Sequence, residues 1–588
     1  MNSKNKKKSK GKLITPLHRK HIEKKDQKCY ASNKKNKNFD AFNKFSKKII
    51  SAIKSGEIKN KKELGDKKLF ESGLLKLGKM PTNPFLLSKI KNPSDFEKTL
   101  LGIKPTRSLS GVQTIAVMLD APECPGKCIY CPGALENNKS AKSYTGFEPS
   151  SLRARRLNFD SKKIVENRIV QLDATGNTAS KIELIFQGSS FTALSEQKKV
   201  NAVKGAIEGV LGKKVNSFEE AKLLAEKSKK RIVGITFETR PDFCKEKDIQ
   251  NMLELGCTRV ELGVQNPDDK IYKKIKRGHS VKDVVDATAR LKDSGLKICY
   301  HLMPGLPGSS FKKDITNFKK IFENESFKPD MVKIYPCLVI KGSELYEQWK
   351  KGKYIPLNEK TAAKIIVEIK KIVPRWVRIM RINRDIPSTV ISAGIMKTNL
   401  RQIINEQMKK ENSFCECIRC REVGLNPELY FAKNSNNKNN TNELLSPNSR
   451  IMHEKNENGF EVITYNASEG VEEFISVEEQ GKLIGFVRLR VPSNYFSEKK
   501  SFIKEITNKT GLIRELHVYG KAIPVGEADS KSPQHKGVGV LLMKEAERIA
   551  KEKYGLEKMI VIAGIGVKEY YIQQLGYKKD GYYVSKKI

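Results

Sequence analysis

The sequence predicts two α/β folds in one chain: a partial TIM-like (βα)6 barrel, then a smaller mixed α/β domain. Three observations carry this. Short apolar runs alternate with amphipathic helical patterns between residues 111 and 340, as parallel strands joined by crossover helices require. A polar, Asn-rich stretch over residues 431–449 then interrupts the pattern with the composition of an exposed loop. Beyond it a second set of strand patterns precedes a long helix that opens on Gly537-Val538-Gly539. At 588 residues the chain is also too long for one ordinary core.

In chain order, residues 1–48 carry 17 Lys or Arg against three acidic residues, with almost no apolar periodicity before Phe39. That composition predicts a basic arm, disordered when unbound. Residues 49–110 read as an N-terminal helical extension. The barrel strands are expected at 111–119, 181–188, 231–238, 259–265, 297–307 and 331–340. Helices such as "KDIQNMLELGC" and "VKDVVDATARLKDSG" lie between them. After residue 340 the pattern turns helical, which closes a first domain at 111–400. A cysteine cluster and the polar linker fill 401–450. The second domain, 451–588, has strand patterns near 482–491, 512–519 and 559–563 and a helix from Gly537 to about Tyr554.

The formal net charge of +45 points to a polyanionic partner, with nucleic acid favoured over an accommodated lysine bias. No run approaches the roughly 18 apolar residues of a membrane span, and no secretory signal is evident, so no membrane partner is expected. Eleven cysteines, six of them in two tight clusters, suit metal ligation in a reducing cytoplasm better than a disulfide framework. Cys244, Cys257, Cys299 and Cys337 read as buried small hydrophobes.

Cys124-x3-Cys128-x2-Cys131 follows the first barrel strand, where a barrel enzyme gathers its active site. Three thiolates can hold three irons of a [4Fe–4S] cube and leave the fourth iron open to a substrate. Zinc, the other reading, would need a distant fourth ligand. The spacing, with Tyr130 before the third cysteine, resembles the signature of the radical SAM superfamily. More specifically, "CIYCPG", "KSYTGFEPSSLRARR", "ITFETRPDFC", "LGCTRVELGVQ", "RGHS", "HLMPGLPG", "KIYPCLVIKGSELYE" and "RINRDIPS" resemble the Elongator catalytic subunit family of tRNA wobble-uridine acetyltransferases. The resemblance runs from about residue 80 to the C-terminus. Where that family commonly has Gly-Gly-Thr-Phe near the methionine end of S-adenosylmethionine, this chain has Gly188-Ser189-Ser190-Phe191. Ser189 keeps the backbone hydrogen-bonding groups but adds a Cβ.

Gln534-His535-Lys536-Gly537-Val538-Gly539 opens the C-terminal helix. A glycine turn at a helix N-terminus offers backbone N–H groups to an anion. The pattern Q-x-x-G-x-G resembles the acetyl-CoA motif of GNAT acetyltransferases, in the expected order between "RELHVYG" and "YYIQQLGY". The resemblance implies acetyl-CoA contacts at Glu515, Leu516, His517 and Val518, at Val538, Gly539 and Val540, and at Tyr571. Tyr571 would act as a general acid toward the leaving thiolate. Lys181 matches a family position associated with acetyl-CoA, against its plain reading as a strand-end lysine. Cys415-x-Cys417-x2-Cys420 reads as a zinc clip, or else as uncommitted thiols, with His453 or Cys29 open as the fourth ligand.

The resemblance implies a cytoplasmic enzyme that uses acetyl-CoA and a SAM-derived 5′-deoxyadenosyl radical to build 5-carboxymethyluridine at position 34 of tRNA. In that scheme the radical takes hydrogen from the acetyl methyl carbon, the carbon adds to C5 of uridine, and the thioester is hydrolysed. The electron donor is unknown, and activity without other Elongator subunits is left open. The alternative is a protein-lysine acetyltransferase with an ancillary iron–sulfur cluster, which leaves the first cysteine motif without a purpose. A non-catalytic RNA-binding scaffold would explain the charge but neither cofactor motif.

Overall fold

The computed structural model describes residues 37–78, 80–102, 112–120, 124–133, 140–174, 179–188, 190–423, 451–456, 458–519 and 537–588. Most of the expected basic arm, the Asn-rich linker, Ser189 and Gln534 lie outside them. The chain divides into two compact units, Met1–Arg107 with Glu166–Ala179, and Ser108–Val165 with Ser180–Ile588.

The first unit contains helices Lys37–Lys54, Lys61–Leu74, Asn83–Lys89 and Asp95–Leu101. Phe45, Ile49, Ile53, Leu64, Leu86 and Leu100 form its buried core. The basic arm therefore stops short of its expected boundary at residue 48. A helix begins at Lys37 because Phe45, Ile49 and Ile53 recur at helical spacing and bury one face.

In the second unit, a parallel sheet contains β1 (Val112–Met118), β2 (Lys181–Gln187), β3 (Arg231–Thr239), β4 (Arg259–Gln265), β5 (Lys297–Leu302) and β6 (Met331–Ile334). The run expected over 331–340 ends early at Pro336, which has no N–H to give a ladder. What remains, β7 (Val339–Ile340), pairs antiparallel with β9 (Ile391–Ala393) in a separate two-stranded sheet. A seventh parallel strand, β8 (Arg378–Ile382), closes the order β1-β2-β3-β4-β5-β6-β8, one more than the six expected. Helices Glu246–Glu254 and Val281–Asp293 cover the sheet where their patterns predict, the second opened by a Ser280–Asp283 capping box.

The GNAT-like sheet has eight strands: β10 (Ile451–Lys455), β11 (Glu461–Ala467), β12 (Gly470–Glu479), β13 (Lys482–Val491), β14 (Thr510–Val518), β15 (Lys558–Val561), β16 (Lys578–Asp580) and β17 (Tyr583–Lys587). The helix Val538–Tyr554 lays Leu542, Met543, Ala546, Ile549 and Ala550 into its core.

Barrel and GNAT sheet are one compact unit because buried charges join them. β13 and β14 pair Arg488 with Glu515 but Leu489 with Ile513, so Arg514 is the extra residue of a β-bulge. Its guanidinium donates to Asp330 Oδ1 at 2.9 Å, just before β6, and to the Leu296 carbonyl at 2.8 Å, just before β5. Lys292 donates to Glu472 at 3.2 Å, Arg490 to Asp293 at 2.8 Å, and Arg488 to the Trp376 carbonyl at 2.6 Å. Every barrel residue in this set lies at or before a strand start, so the GNAT sheet docks on the end opposite the cysteine loop.

Candidate active site

The loop after β1 carries Cys124, Cys128 and Cys131, all partly exposed. It is held from three sides. The Ile129 amide donates to Ile275 O, Leu345 donates back to Ile129 O, and Lys142 Nζ reaches the Cys124 and Gly126 carbonyls at 3.1 and 2.9 Å. Arg277 donates to Cys128 Sγ at 3.3 Å and to the Gly263 carbonyl. Arg240 donates to the Arg277 carbonyl at 3.1 Å while its other edge forks onto Asp242 at 2.9 and 2.8 Å. Gly126 and Gly263 are where these guanidiniums pass; a Cβ on either would collide, at 2.6 and 2.7 Å. The glycines and arginines thus set the loop as one piece. His279, beside Arg277, is held neutral because burial and that guanidinium push it down to about 4.

The three thiols do not gather within 4.8 Å as those of the second cluster do, so they do not close on one ion held by bonds of about 2.3 Å. Wider spacing with three sulfur donors and a guanidinium at one of them suits a larger anionic iron–sulfur cluster. At Gly188, φ +135, a Cβ would be tight, 3.2 Å from Ala141 and 3.3 Å from the Leu119 carbonyl, so the β2 end packs closely against the cysteine loop's base. Ser190 Oγ meets Thr239 Oγ1 at 2.8 Å beside it.

Above the barrel interior, Tyr144 donates to Glu238 at 2.8 Å and Arg384 lies over the Tyr144 and Tyr335 rings at 5.5 and 5.9 Å. Glu261 on β4 accepts from Lys333 on β6 and lies 2.7 Å from His301 Nε2 on β5. Burial would raise the Glu261 carboxyl, yet the Lys333 ammonium, with His301 and Arg259, holds it well below the usual carboxylate range. None of these interior residues was singled out from sequence. Their pairings join distant segments, which no local pattern reveals.

In the GNAT-like half, Gly537 at φ +74 caps the helix Val538–Tyr554, and Val540 and Leu541 donate to its carbonyl. A Cβ at Gly537 would meet nothing within 4 Å, so conformation requires the glycine there, whereas at Gly539 it would lie 3.0 Å from Tyr570 Oη and 3.8 Å from Leu516. Val538 and Val540 flank the turn, half-buried. β14 pairs with β15 only from Thr510 to Ile513, while its ladder to β13 runs on to Val518. Glu515, Leu516 and His517 therefore lie beyond the β15 ladder, Leu516 beside the helix turn at Gly539 and Glu515 and His517 on the opposite face, against Arg488 and Tyr519.

Arg488 donates to Glu515 at 3.0 Å. His517 is pushed down to about 4, first by burial and then by Arg378, Lys297 and Lys181, against the pull of Glu515. Lys181, at the start of β2, is thus brought into the field of the GNAT strand. Tyr571 is buried in the apolar core, and its neighbour Tyr570, which sequence reasoning passed over, carries the hydroxyl that faces Gly539.

Cys415, Cys417 and Cys420 bring their sulfurs within 4.8 Å of one another, a group fit for a single ion. Among the described residues no fourth ligand joins them. His453 is paired instead with Glu461 at 2.8 Å across β10 and β11, and Cys29 lies outside the described residues.

Three family models match the chain: the Radical SAM superfamily over residues 118–317, the Radical_SAM C-terminal domain over 329–410, and the Acetyltransferase (GNAT) family over 441–577. A tRNA uridine(34) acetyltransferase of Methanocaldococcus infernus is 44% identical over 553 residues, covering 92% of this chain and 98% of that protein. Elongator complex protein 3 of Saccharomyces cerevisiae is 37% identical over 528 residues, covering 87% and 90%. The solved structure of the archaeal Methanocaldococcus infernus Elp3 with N-terminus deletion (1-46) superposes with a TM-score of 0.67 at 41% identity, over 82% of this chain and 100% of that one.

Proposed function

The chain belongs to the family of the tRNA uridine(34) acetyltransferases and Elongator complex protein 3, and from that premise we propose that it carboxymethylates the wobble uridine of tRNA at the expense of acetyl-CoA. The observation that carries this reading is the joining of the two halves. β14, the strand expected to hold acetyl-CoA, is fixed through Arg514 and Asp330 to the end of the barrel opposite the cysteine loop. A free-standing acetyltransferase acting on protein lysines has no use for that arrangement.

Cys124, Cys128 and Cys131 are the residues that would hold a [4Fe–4S] cluster. Bound there with S-adenosylmethionine, it supplies a 5′-deoxyadenosyl radical. Arg277 fixes the Cys128 sulfur, and the backbone at Gly188 would border the cofactor's methionine end, a role we extend to Ser189, which lies outside the described residues. The remaining residues handle the acyl donor. Gly537, Val538, Gly539 and Val540 would form the pyrophosphate turn, to which we also assign Gln534, outside the described residues, and Glu515, Leu516, His517 and Val518 would pair with the pantetheine arm. Lys181 supplies a cation from the barrel side.

Burial pushes the phenols of Tyr570 and Tyr571 up, so both stay protonated at neutral pH and able to donate to a departing thiolate. Tyr571 is our assignment for that acid, with Tyr570 against the turn. Cys415, Cys417 and Cys420 form a zinc clip between barrel and GNAT sheet. The reduced thiols and the tRNA substrate suit a cytoplasmic enzyme, and no helix among the described residues is long and apolar enough to cross a membrane.

The test is anaerobic production of 5′-deoxyadenosine by the reconstituted full chain. We expect it to require acetyl-CoA and tRNA together. Turnover without either, or acetylation of protein lysines in its place, would overturn the reading.

A further inference from the structure

Small branched apolar side chains ordinarily fill a barrel of parallel strands in layers. This one is filled differently. By strand alternation the inward positions include Glu183 on β2, Thr236 and Glu238 on β3, Arg259 and Glu261 on β4, Cys299 and His301 on β5, and Lys333 on β6. Their side chains make a continuous polar file. Glu183 meets Arg259 at 2.5 Å, Arg259 lies 3.5 Å from Glu261, and Glu261 holds Lys333 and His301. His301 then packs edge-on against Tyr335 at 5.4 Å, and Tyr335 lies under Arg384.

Each end of the file meets one of the two expected sites. At the lower end Glu515, on the GNAT strand, adds to the field of Glu183 and Glu261 that keeps Arg259 charged against the cost of burial. At the upper end Arg384 donates to the Ser143 carbonyl at 3.0 Å, next to Lys142, whose carbonyl lies 3.0 Å from Cys131 Sγ. Burying so many charges costs several kcal/mol per ion before pairing, and apolar side chains of the same volume would often be no less stable. Stability therefore does not explain the file.

Its lower part is also incomplete. Thr236 Oγ1 and Arg259 Nε are buried and make no hydrogen bond, in side chains that are 0% and 4% exposed, while Arg259 Nη2 has only Glu261 Oε1 at 3.5 Å, which makes no hydrogen bond either. Thr236 and Arg259 are register partners on adjacent strands. Thr236 Oγ1 and Arg259 Nε can both donate, so a guest between them accepts. Arg259 and Lys333 already balance Glu183 and Glu261, so the guest should be a neutral acceptor rather than an anion.

We propose that Thr236 and Arg259 form an acyl-carbonyl site inside the barrel, which takes the thioester oxygen of acetyl-CoA and so directs its methyl carbon up the file toward the cysteine loop. The proposal rests on the reading above that acetyl-CoA is the acyl donor. It makes Thr236 and Arg259 positioning residues for the acyl group, beyond the GNAT residues that hold the rest of the molecule.

The experiment compares two probes on the full chain by calorimetry: acetyl-CoA and ethyl-CoA, the thioether that lacks only the carbonyl oxygen. Wild type should prefer acetyl-CoA by roughly fivefold to tenfold, the weight of one or two hydrogen bonds. Thr236→Val is nearly isosteric and removes a hydroxyl that bonds nothing in the protein, so the fold should keep its melting temperature. In that variant, and in Arg259→Lys, the preference should collapse toward unity while ethyl-CoA affinity stays unchanged. Thr236→Ser, which keeps the hydroxyl, should retain it. A preference that survives Thr236→Val, or is lost equally in Thr236→Ser, overturns the carbonyl site. Equal binding of both probes by wild type overturns the site but leaves the donor assignment standing, whereas binding of neither overturns both.

Discussion

Arg514 and Asp330 face each other through two hydrogen bonds, 2.9 and 2.5 Å long, with both side chains wholly shielded from solvent. Lys292 and Arg488 stand at 3.9 and 3.8 Å from the same carboxylate, so three cations share this anion, with Glu472 and Glu515 as their further partners. Burial favours the neutral acid, but Arg514, Lys292 and Arg488 hold Asp330 well below the usual carboxylate range.

Removing that anion should therefore be costly. Asp330→Asn is nearly isosteric yet leaves buried cations uncompensated, and we expect a loss of about 3–5 kcal/mol in unfolding free energy. Because the carboxylate joins both folds, tryptophan fluorescence and circular dichroism should shift together to lower denaturant. An unchanged midpoint would show that the pairing contributes nothing.

Replacing Cys124, Cys128 and Cys131 together with Ala should abolish the iron–sulfur absorbance of the reconstituted protein and all cleavage of S-adenosylmethionine. CoA binding should persist, since Gly537 and β14 lie in the other fold. Cluster absorbance that survives the triple change would remove these thiols from the ligand set.

The two glycines of the helix turn should fail for different reasons. At Gly537 a side chain has room but the backbone is left-handed at φ +74, so Gly537→Val should strain the turn whereas Gly537→Asn, at ease there, should be tolerated. At Gly539 the obstacle is Tyr570, so even Gly539→Ala should weaken acetyl-CoA binding. The check is acetyl-CoA affinity with tRNA affinity as control. Equal weakening by Gly537→Asn and Gly537→Val would refute the conformational account.

His517 gives stability a pH dependence of definite sign. Its folded pKa, about 4, lies below the ordinary 6.5, so the unfolded chain takes up the proton first. The contribution is fully present above pH 6.5 and lost as pH falls toward 4. The slope approaches about 1.4 kcal/mol per pH unit for one proton. His517→Gln should flatten the acid side of the stability profile between pH 6.5 and 4; a superimposable profile would mean the imidazole is charged in the fold.

Residues 1–36 carry 13 Lys or Arg, and deleting them leaves the helix that begins at Lys37 intact. We expect weaker tRNA binding and a flatter dependence on salt, by roughly 0.7 to 0.9 in log–log slope for each phosphate that the shortened chain leaves unneutralised. Discrimination among tRNAs should survive, because phosphate contacts position rather than specify. Coincident salt curves for the full and shortened chains would deny the segment a part in binding.

Sequence made the strands legible where an apolar run was long and flanked by turn residues, as at β2, β3 and β4. β8 escaped because "RIMRI" is five residues long with a charge at two of them. The hairpin β11–β12 escaped because its turn, Ser468-Glu469, has positive φ at both residues without the Asn-Gly that usually signals that geometry. The cysteine loop and the glycine turn were readable since each is a local chemical pattern. The ion pairs were not: Lys333 finds Glu261 72 residues away, and Arg514 finds Asp330 at a separation of 184. Local sequence can say that a charge faces inward, but only the closed sheet says which charge meets it.

The clamp at the strand starts also bears on how the substrates compete. A sheet fixed to its neighbour by buried ion pairs cannot swing open as a hinged lid does, so neither ligand needs the other to leave. On the proposed reading one approaches the helix turn at Gly537 and the other the cysteine loop at the opposite rim. Two separate entrances predict a random-order ternary complex, in which tRNA and acetyl-CoA titrate independently and neither acts as a competitive inhibitor of the other.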